Sequence, residues 1–402
     1  MDLVKLIVPA LVIYLLLRRK YNLGVAMVGG AIVLGLLYAV KPEKMALIGW
    51  QGLFSPGALK LFGSLYVIMF LEHIMRVNGI LDRLMYASRV VISDARVVMA
   101  ILPAFLGFLP SLGGALFSAP LVSKAAEGME ITGERKCLVN YWYRHVWEYF
   151  LPIYPSLLLV QEILNIPMRD IISHGFIYTI LAVIVGVGVC FRGIPKSEQG
   201  HEEKKEPVTA AHYLDIALAL GPVGLILLLV VYFQMSVIVA TTGVLVFFMI
   251  WFRYNSEKFI KGVKEAFHLK TFSAVAGVLV FKEMLMQSGA LPEVTAAITS
   301  LAIPPVIMIG IMAFVVSWIT GMPQATVGIV YPLIAVLDPG HAAMGSVAMV
   351  CVIAGQMVSP MHLCLVVTRE YFKCRLGDTL LQVIKGEAIM ITTAFAIYFL
   401  TR

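Results

Sequence analysis

The chain has 402 residues, 60% of them apolar and only 14% charged, with a mean hydropathy of +0.90; this excludes a water-soluble enzyme or a string of soluble domains. The formal charge of +7, from 31 Lys and Arg against 24 Asp and Glu, reads in so apolar a chain as basic anchors on the cytoplasmic side of a membrane, and nucleic acid is excluded as a partner. Five cysteines (Cys137, Cys190, Cys351, Cys364 and Cys374) show no CxxC and no pairing pattern, so they read as small hydrophobes, with no disulfide framework and no metal site.

In chain order, a first apolar run from Leu3 to Leu17 is closed by Arg18-Arg19-Lys20 without a small-residue cleavage site. It reads as a retained span, not a signal peptide. Further spans are predicted at about 23–40, 57–75, 145–165, 171–191, 213–233, 236–252, 271–290, 342–363 and 378–400, about ten in all at roughly 20 residues per crossing. Two more apolar segments, 96–127 and 305–338, are interrupted by Pro110-Ser111-Leu112-Gly113-Gly114 and by Thr320-Gly321-Met322-Pro323-Gln324-Ala325-Thr326. Their halves are too short to cross alone, and backbone groups freed at the breaks cannot face lipid. Re-entrant hairpins satisfy both conditions; pairs of short, Pro-kinked spans are the alternative.

With the N-terminus outside and both hairpins returning to the side they enter from, 23 of the 31 Lys and Arg fall on the inner face, as the positive-inside rule requires. The polar stretch Arg192 to His212 then lies in the cytoplasm and divides the chain: residues 1–192 with one hairpin, a solvated linker at 193–212, and residues 213–402 with the other. Both termini are expected outside a plasma (inner) membrane.

The halves overlay at an offset of about 210. Phe70-Leu71-Glu72 and Asn78-Gly79-Ile80-Leu81 match Phe281-Lys282-Glu283 and Ser288-Gly289-Ala290-Leu291; Pro120 falls on Pro332; Trp147 to Pro152 falls on Gly355 to Pro360; and Glu162 falls on Glu370. Five spans per half is an odd number, so the second copy starts on the opposite side. The expected fold is therefore an all-α polytopic membrane protein, with about ten transmembrane helices and two re-entrant hairpins in two inverted-topology repeats. That arrangement is the mark of alternating-access carriers that hold substrate between the copies.

With these features the sequence resembles the ion-transporter superfamily of divalent-anion and citrate carriers, gluconate and lactate permeases, and arsenite and sodium/proton antiporter relatives. It looks most like a bacterial and archaeal integral-membrane family related to the gluconate and lactate permeases and the divalent-anion symporters. The resemblance is architectural. The paired Ser-Asn-Thr signature of the sodium-coupled carboxylate carriers is missing, since the tips read Pro110-Ser111-Leu112-Gly113 and Pro323-Gln324-Ala325-Thr326. It implies a scaffold through which the protein forms a homodimer, and a moving transport part.

Candidate site residues fall into two groups. At the hairpin tips, Ser111, Gly113, Gly114, Gln324 and Thr326 offer donors at the start of a half-helix, where an anion docks. On the interrupted helices, Pro152 and Pro360 free the carbonyls of Glu148 and Gln356. Glu148, Tyr149, Tyr154, Gln356, Ser359 and His362 then form a polar set for substrate, with Glu148 and His362 carrying a proton. A carboxylate at mid-bilayer costs on the order of 2.5 to 3.5 kcal/mol, so it needs a partner. His145 precedes Glu148 by three, yet with Arg144 it reads as an interfacial anchor, and Asn140-Tyr141-Trp142-Tyr143 reads as an aromatic belt. Glu72, His73, Lys282 and Glu283 read as helix-end charges reaching for water.

HExxH, GxSxG and P-loop templates are absent, so neither enzymatic chemistry nor ATP drive is expected and no cofactor is called for. The expected function is secondary transport of a small organic anion, carboxylate-like, driven by a proton gradient more than by sodium, with membrane lipid as the other partner. A cation/proton antiporter and a membrane enzyme or lipid-handling protein acting on a phosphorylated headgroup stand as alternatives.

Overall fold

A computed structural model describes residues 4–108, 114–194 and 207–401. Among these there are only helices and no strand. The first half runs α1 (Val4–Arg18), α2 (Leu23–Leu37), α3 (Pro42–Phe54), α4 (Pro56–Val77), α5 (Ile80–Val91), α6 (Ala95–Gly107), α7 (Gly114–Ala125), α8 (Gly133–His145), α9 (Pro155–Leu164) and α10 (Met168–Phe191). The second runs α11 (Ala210–Val231), α12 (Val237–Trp251), α13 (Ser256–Glu265), α14 (Leu269–Gln287), α15 (Ala290–Ser300), α16 (Pro305–Thr320), α17 (Pro323–Leu337), α18 (Ala343–Met357), α19 (Leu363–Phe372) and α20 (Leu376–Thr401).

Helix ends follow local chemistry. Asn22, Ser55, Asp94, Thr132 and Asn255 cap α2, α4, α6, α8 and α13 with side-chain oxygens that accept free backbone N–H groups. Pro155, Pro305 and Pro323 open α9, α16 and α17, where a missing N–H costs nothing. The same punctuation recurs in both halves: Gly79 and Gly289 stand in the left-handed region ahead of α5 and α15, and Asn165 and Lys373 do so after α9 and α19.

Packing is reciprocal. α2 lies on α14 as α12 lies on α4; α7 touches α19 as α17 touches α9; α8 meets α20 as α18 meets α10. Within each half, α6 packs on α7 and α16 on α17, giving two helical hairpins where the broken segments were expected. The turn of the second hairpin sits at Gly321-Met322. A bend of 119° separates α15 from α16.

Among the described residues, four helices, α4, α10, α11 and α20, are individually long and apolar enough to span a bilayer, and α15 with α16 makes a fifth if counted as one bent span. Other apolar helices are shorter, α1, α2, α6, α9, α12, α17 and α18 among them. The predicted single spans are in fact broken: 145–165 starts on the last residue of α8, is non-helical over 146–154 and helical again in α9, while 342–363 is helical to Met357 and then non-helical up to the start of α19. Sequence reading also passed over α3, α5, α13 and α15, which are too short or too amphipathic to register as spans.

Burial sorts the elements. α18 is buried at every residue except Ala343 and Ser346, as a helix apolar on all sides must be. In contrast, Ile184 on α10, Leu228 on α11 and Ile250 on α12 stand exposed, a surface suited to acyl chains. The protein is thus a multi-pass membrane protein with α8, α9, α17 and α18 inside.

Without a hydrophobic force between helices in lipid, close approach depends on small residues. At the α2–α14 crossing, a Cβ built on Gly277 falls 2.6 Å from the Cα of Gly24. Gly277→Ala should therefore destabilise the detergent-solubilised protein by about 1–3 kcal/mol, read as a lowered Tm; an unchanged Tm would mean that this crossing yields freely.

Candidate functional site

α8 ends at His145, and the chain stays non-helical from Val146 to Tyr154; α18 ends at Met357 and resumes as a helix at Leu363. Pro152 and Pro360 lie inside these stretches, as expected. The first break opens six residues ahead of its proline, because its side chains are tied elsewhere. Trp147 Nε1 donates to the carbonyl of Ala104 at 2.8 Å, and the Tyr154 hydroxyl donates to the carbonyl of Gly107. Both anchors are on α6, so the hairpin holds the break open.

The two breaks meet. Gln356 Nε2 donates to Glu148 Oε2 at 2.9 Å, joining two positions that the repeat overlays on one another. The Tyr141 hydroxyl donates to the carbonyl of Met357 at 3.1 Å, and Asn140 Nδ2 donates to Thr368 Oγ1 at 3.1 Å. Asn140, Tyr141, Trp142 and Tyr143 are fully buried, which corrects their reading as an interfacial aromatic belt. Their polar atoms face the opposite half or α10, where Trp142 Nε1 reaches the carbonyl of Ala182 at 2.9 Å.

His145 is likewise no interfacial anchor. It is buried, and its Nε2 lies 3.1 Å from Nε2 of His362. The other nitrogen of each ring faces a backbone carbonyl: His145 Nδ1 that of Tyr141 at 2.6 Å, His362 Nδ1 that of Gly321 at 2.9 Å. A carbonyl only accepts, so both Nδ1 atoms carry hydrogen. In a neutral imidazole Nε2 is then a lone pair, and two lone pairs would face each other at hydrogen-bond distance. The two Nε2 atoms attract each other at this distance only when a proton or another cation is shared between them. Glu148 Oε1 lies 3.9 Å from His145 Nε2.

The second hairpin reaches this point through its turn. Gly321 stands at φ 64, and a Cβ there would press on the backbone of Met361 and His362 at 3.1 and 3.0 Å. Glycine is thus required twice over. Ser359 is buried and its Oγ accepts from Met361 N at 3.2 Å, shaping the break. Gln324 is half-buried in the first turn of α17, and Thr326 is buried with Oγ directed at the Met322 carbonyl at 3.5 Å. Of the other tip, Gly114 is the first residue of α7, while Ser111 and Gly113 lie outside the described residues.

Tyr149 is buried and shares with Trp142, His145, Met357 and Glu387 the lining of a small void beside the histidines. Glu387, on α20, is buried with Oε2 unpartnered; sequence reading missed it. A carboxylate in the middle of the apolar run 378–400 was the available signal. Cys364 was missed as well: its Sγ and the ring nitrogens of His145 and His362 lie within 4.8 Å of one another. Among the described residues, these three form a group able to hold a metal ion.

The charges near residues 72 and 283 lie apart from this cluster, and Glu72, His73 and Lys282 are buried beside ionic partners, which corrects their reading as helix-end charges reaching for water. Glu72 meets Arg76 at 3.8 Å, His73 meets Glu265 at 3.8 Å, and Lys282 meets Glu283 at 2.9 Å.

Against known proteins, the sequence profile of a family described as "Protein of unknown function (DUF401)" matches residues 3–400. No curated protein matches the sequence significantly. Among solved structures the chain is similar to the YdaH transporter of Alcanivorax borkumensis, described as having an unusual topology. The TM-score is 0.56 at 14% identity, over 86% of this chain and 87% of that one, which is a likeness of fold.

Proposed function

We propose that this chain, which belongs to the DUF401 family, is a secondary transporter that moves a small carboxylate-like anion by alternating access, coupled to protons. The observation that carries this reading is the meeting of two broken helices, one from each half, at Glu148–Gln356 and His145–His362. The likeness in fold to a protein described as a transporter supports it. On this reading the halves are inverted repeats joined by the cytoplasmic linker. The chain sits in the inner membrane as a homodimer with both termini outside, and its kinship is with the ion-transporter superfamily.

On this reading the histidine pair sets a coupling rule. With the proton in place, the two imidazoles bridge the halves and the positive pair is balanced by Glu148. Without it, two lone pairs repel across 3.1 Å and the contact between halves is weakened. Proton occupancy therefore biases how the halves sit, which is what a coupled carrier needs. The anion docks at the half-helix starts beside this centre, where the first turn of α17 presents free N–H groups and the positive end of its dipole.

A second reading, a cation/proton antiporter, is favoured by the acceptor character of Glu148 and both Nε2 atoms. One experiment separates the two. In proteoliposomes under an inward proton gradient, labelled carboxylates should accumulate. Uptake that follows sodium and ignores the pH gradient would overturn the coupling. Dissipation of the gradient by an added cation, with no organic substrate present, would instead select the antiporter.

A further inference from the structure

We propose that His145, His362 and Cys364 form a binding site for a divalent transition-metal ion of the Zn2+ class, which clamps the two halves together. The proposal does not depend on the transport reading, since it concerns what the three donors hold.

Three observations converge. The donor atoms are already gathered, within 4.8 Å of one another, with the two Nε2 atoms at 3.1 Å. In a tetrahedral site with metal–nitrogen bonds of about 2.0–2.1 Å and metal–sulfur bonds of about 2.3 Å, neighbouring donors stand about 3.3 to 3.6 Å apart. Shifts of a few tenths of an ångström at each imidazole, with a modest swing of the thiol, therefore admit an ion where the shared proton lies. Next, each imidazole has its outer nitrogen fixed on a backbone carbonyl, Tyr141 for His145 and Gly321 for His362. Metal-bound histidines are held by this same second-layer bond, which turns Nε2 toward the ion and raises its basicity.

The donor set also chooses the ion. Two imidazoles and a thiolate suit Zn2+, Co2+ or Cu+ and disfavour Mg2+ and Ca2+, which require oxygens. Glu148 Oε1, 3.9 Å from His145 Nε2, is placed to take the fourth position. Because His145 ends α8 while His362 and Cys364 flank the start of α19, the ion would bind both halves at once. It would also displace the proton between the rings, since ligand nitrogen and sulfur must be deprotonated to coordinate.

The test uses the full-length protein in detergent, stripped with a chelator and titrated with Co2+. One equivalent should give tetrahedral d–d bands and a thiolate-to-cobalt charge-transfer band; Cys364→Ser should lose the charge-transfer band, and His362→Ala should weaken binding at least tenfold. In parallel, Zn2+ should raise the wild-type Tm in a concentration-dependent way and Mg2+ should not. Absence of cobalt bands in the folded wild-type protein would overturn the proposal. So would persistence of the charge-transfer band in Cys364→Ser, or an equal Tm rise with Mg2+. Cobalt and zinc binding are read without any carboxylate or proton gradient, so failure of the metal site and failure of the transport reading are separately visible.

Discussion

Glu148→Gln should reduce proton-driven uptake to the level of empty liposomes while leaving the fold intact. Glu148 is the only carboxylate that the described structure brings within 4 Å of the facing imidazoles, at 3.9 Å, and its other oxygen accepts from Gln356 across the repeat boundary. An amide of the same size keeps that hydrogen bond but cannot balance the charge of a proton held between the rings. The proton is then held against an uncompensated desolvation cost. Uptake measured with and without a pH gradient, with Tm and helical circular dichroism as controls for folding, checks this. A wild-type rate in the variant would remove Glu148 from the coupling machinery.

Gly355→Val should have the largest effect on stability. α18 and α16 touch here through backbone. A Cβ on Gly355 would collide with the carbonyl oxygen of Phe314 and lie 2.9 Å from Ser317 Cβ and 3.0 Å from the backbone N of Trp318. Backbone has no rotamer by which to yield, so α18 must move as a unit. The expected cost is about 3 kcal/mol or more, at the upper end of overpacking penalties. Gln356 is the next residue, so the same displacement should uncouple it from Glu148 and depress transport even in the fraction that folds. Gly188 on α10 has open space around it, and Gly188→Ala should change stability by no more than about 1 kcal/mol. Equal Tm values for the two variants would show that the α16–α18 contact is not tight.

Much of the architecture is written in local chemistry. Helix-breaking glycines and prolines in 108–114, 320–323, 152 and 360 mark the hairpins and the unwound stretches, because those residue types act within a few positions of themselves. The lone carboxylate Glu148 and the polar set Gln356, Ser359 and His362 were readable for the same reason: each is out of place in an apolar run. What stayed hidden depends on contacts between distant segments. No spacing places His145 against His362, 217 positions away, and Cys364 looks like any small apolar residue until two imidazoles are seen beside it. The basic neighbour Arg144 made an anchor the natural reading of His145, yet its Nη1 is turned inward to the Leu106 carbonyl at 3.2 Å. The short helices α5 and α13 escaped because their apolar stripe is one-sided, which a search for continuous hydrophobicity averages away.

Trp142 shows how tightly the centre is drawn together. Its indole lies between two glycines 200 positions apart in sequence: a Cβ on Gly186 would stand 2.7 Å from Trp142 Cδ1 and one on Gly386 2.6 Å from Trp142 Cζ3. One ring from α8 thus seats the long helices α10 and α20, the closing elements of the two halves.

The exchange of helices, α2 onto α14 and α12 onto α4, bears on how the molecule is made. By the time the ribosome has delivered residues 23–37 to the bilayer, α1 is already there for Gly29 and Gly30, but the Gly24 crossing has no mate until α14 follows, some 230 residues later. During that interval the nascent first half is an unfinished surface, open to neighbouring chains or to the insertion machinery. Contacts inside one half can form as it is made, whereas the crossed pairs can close only once the second half has followed.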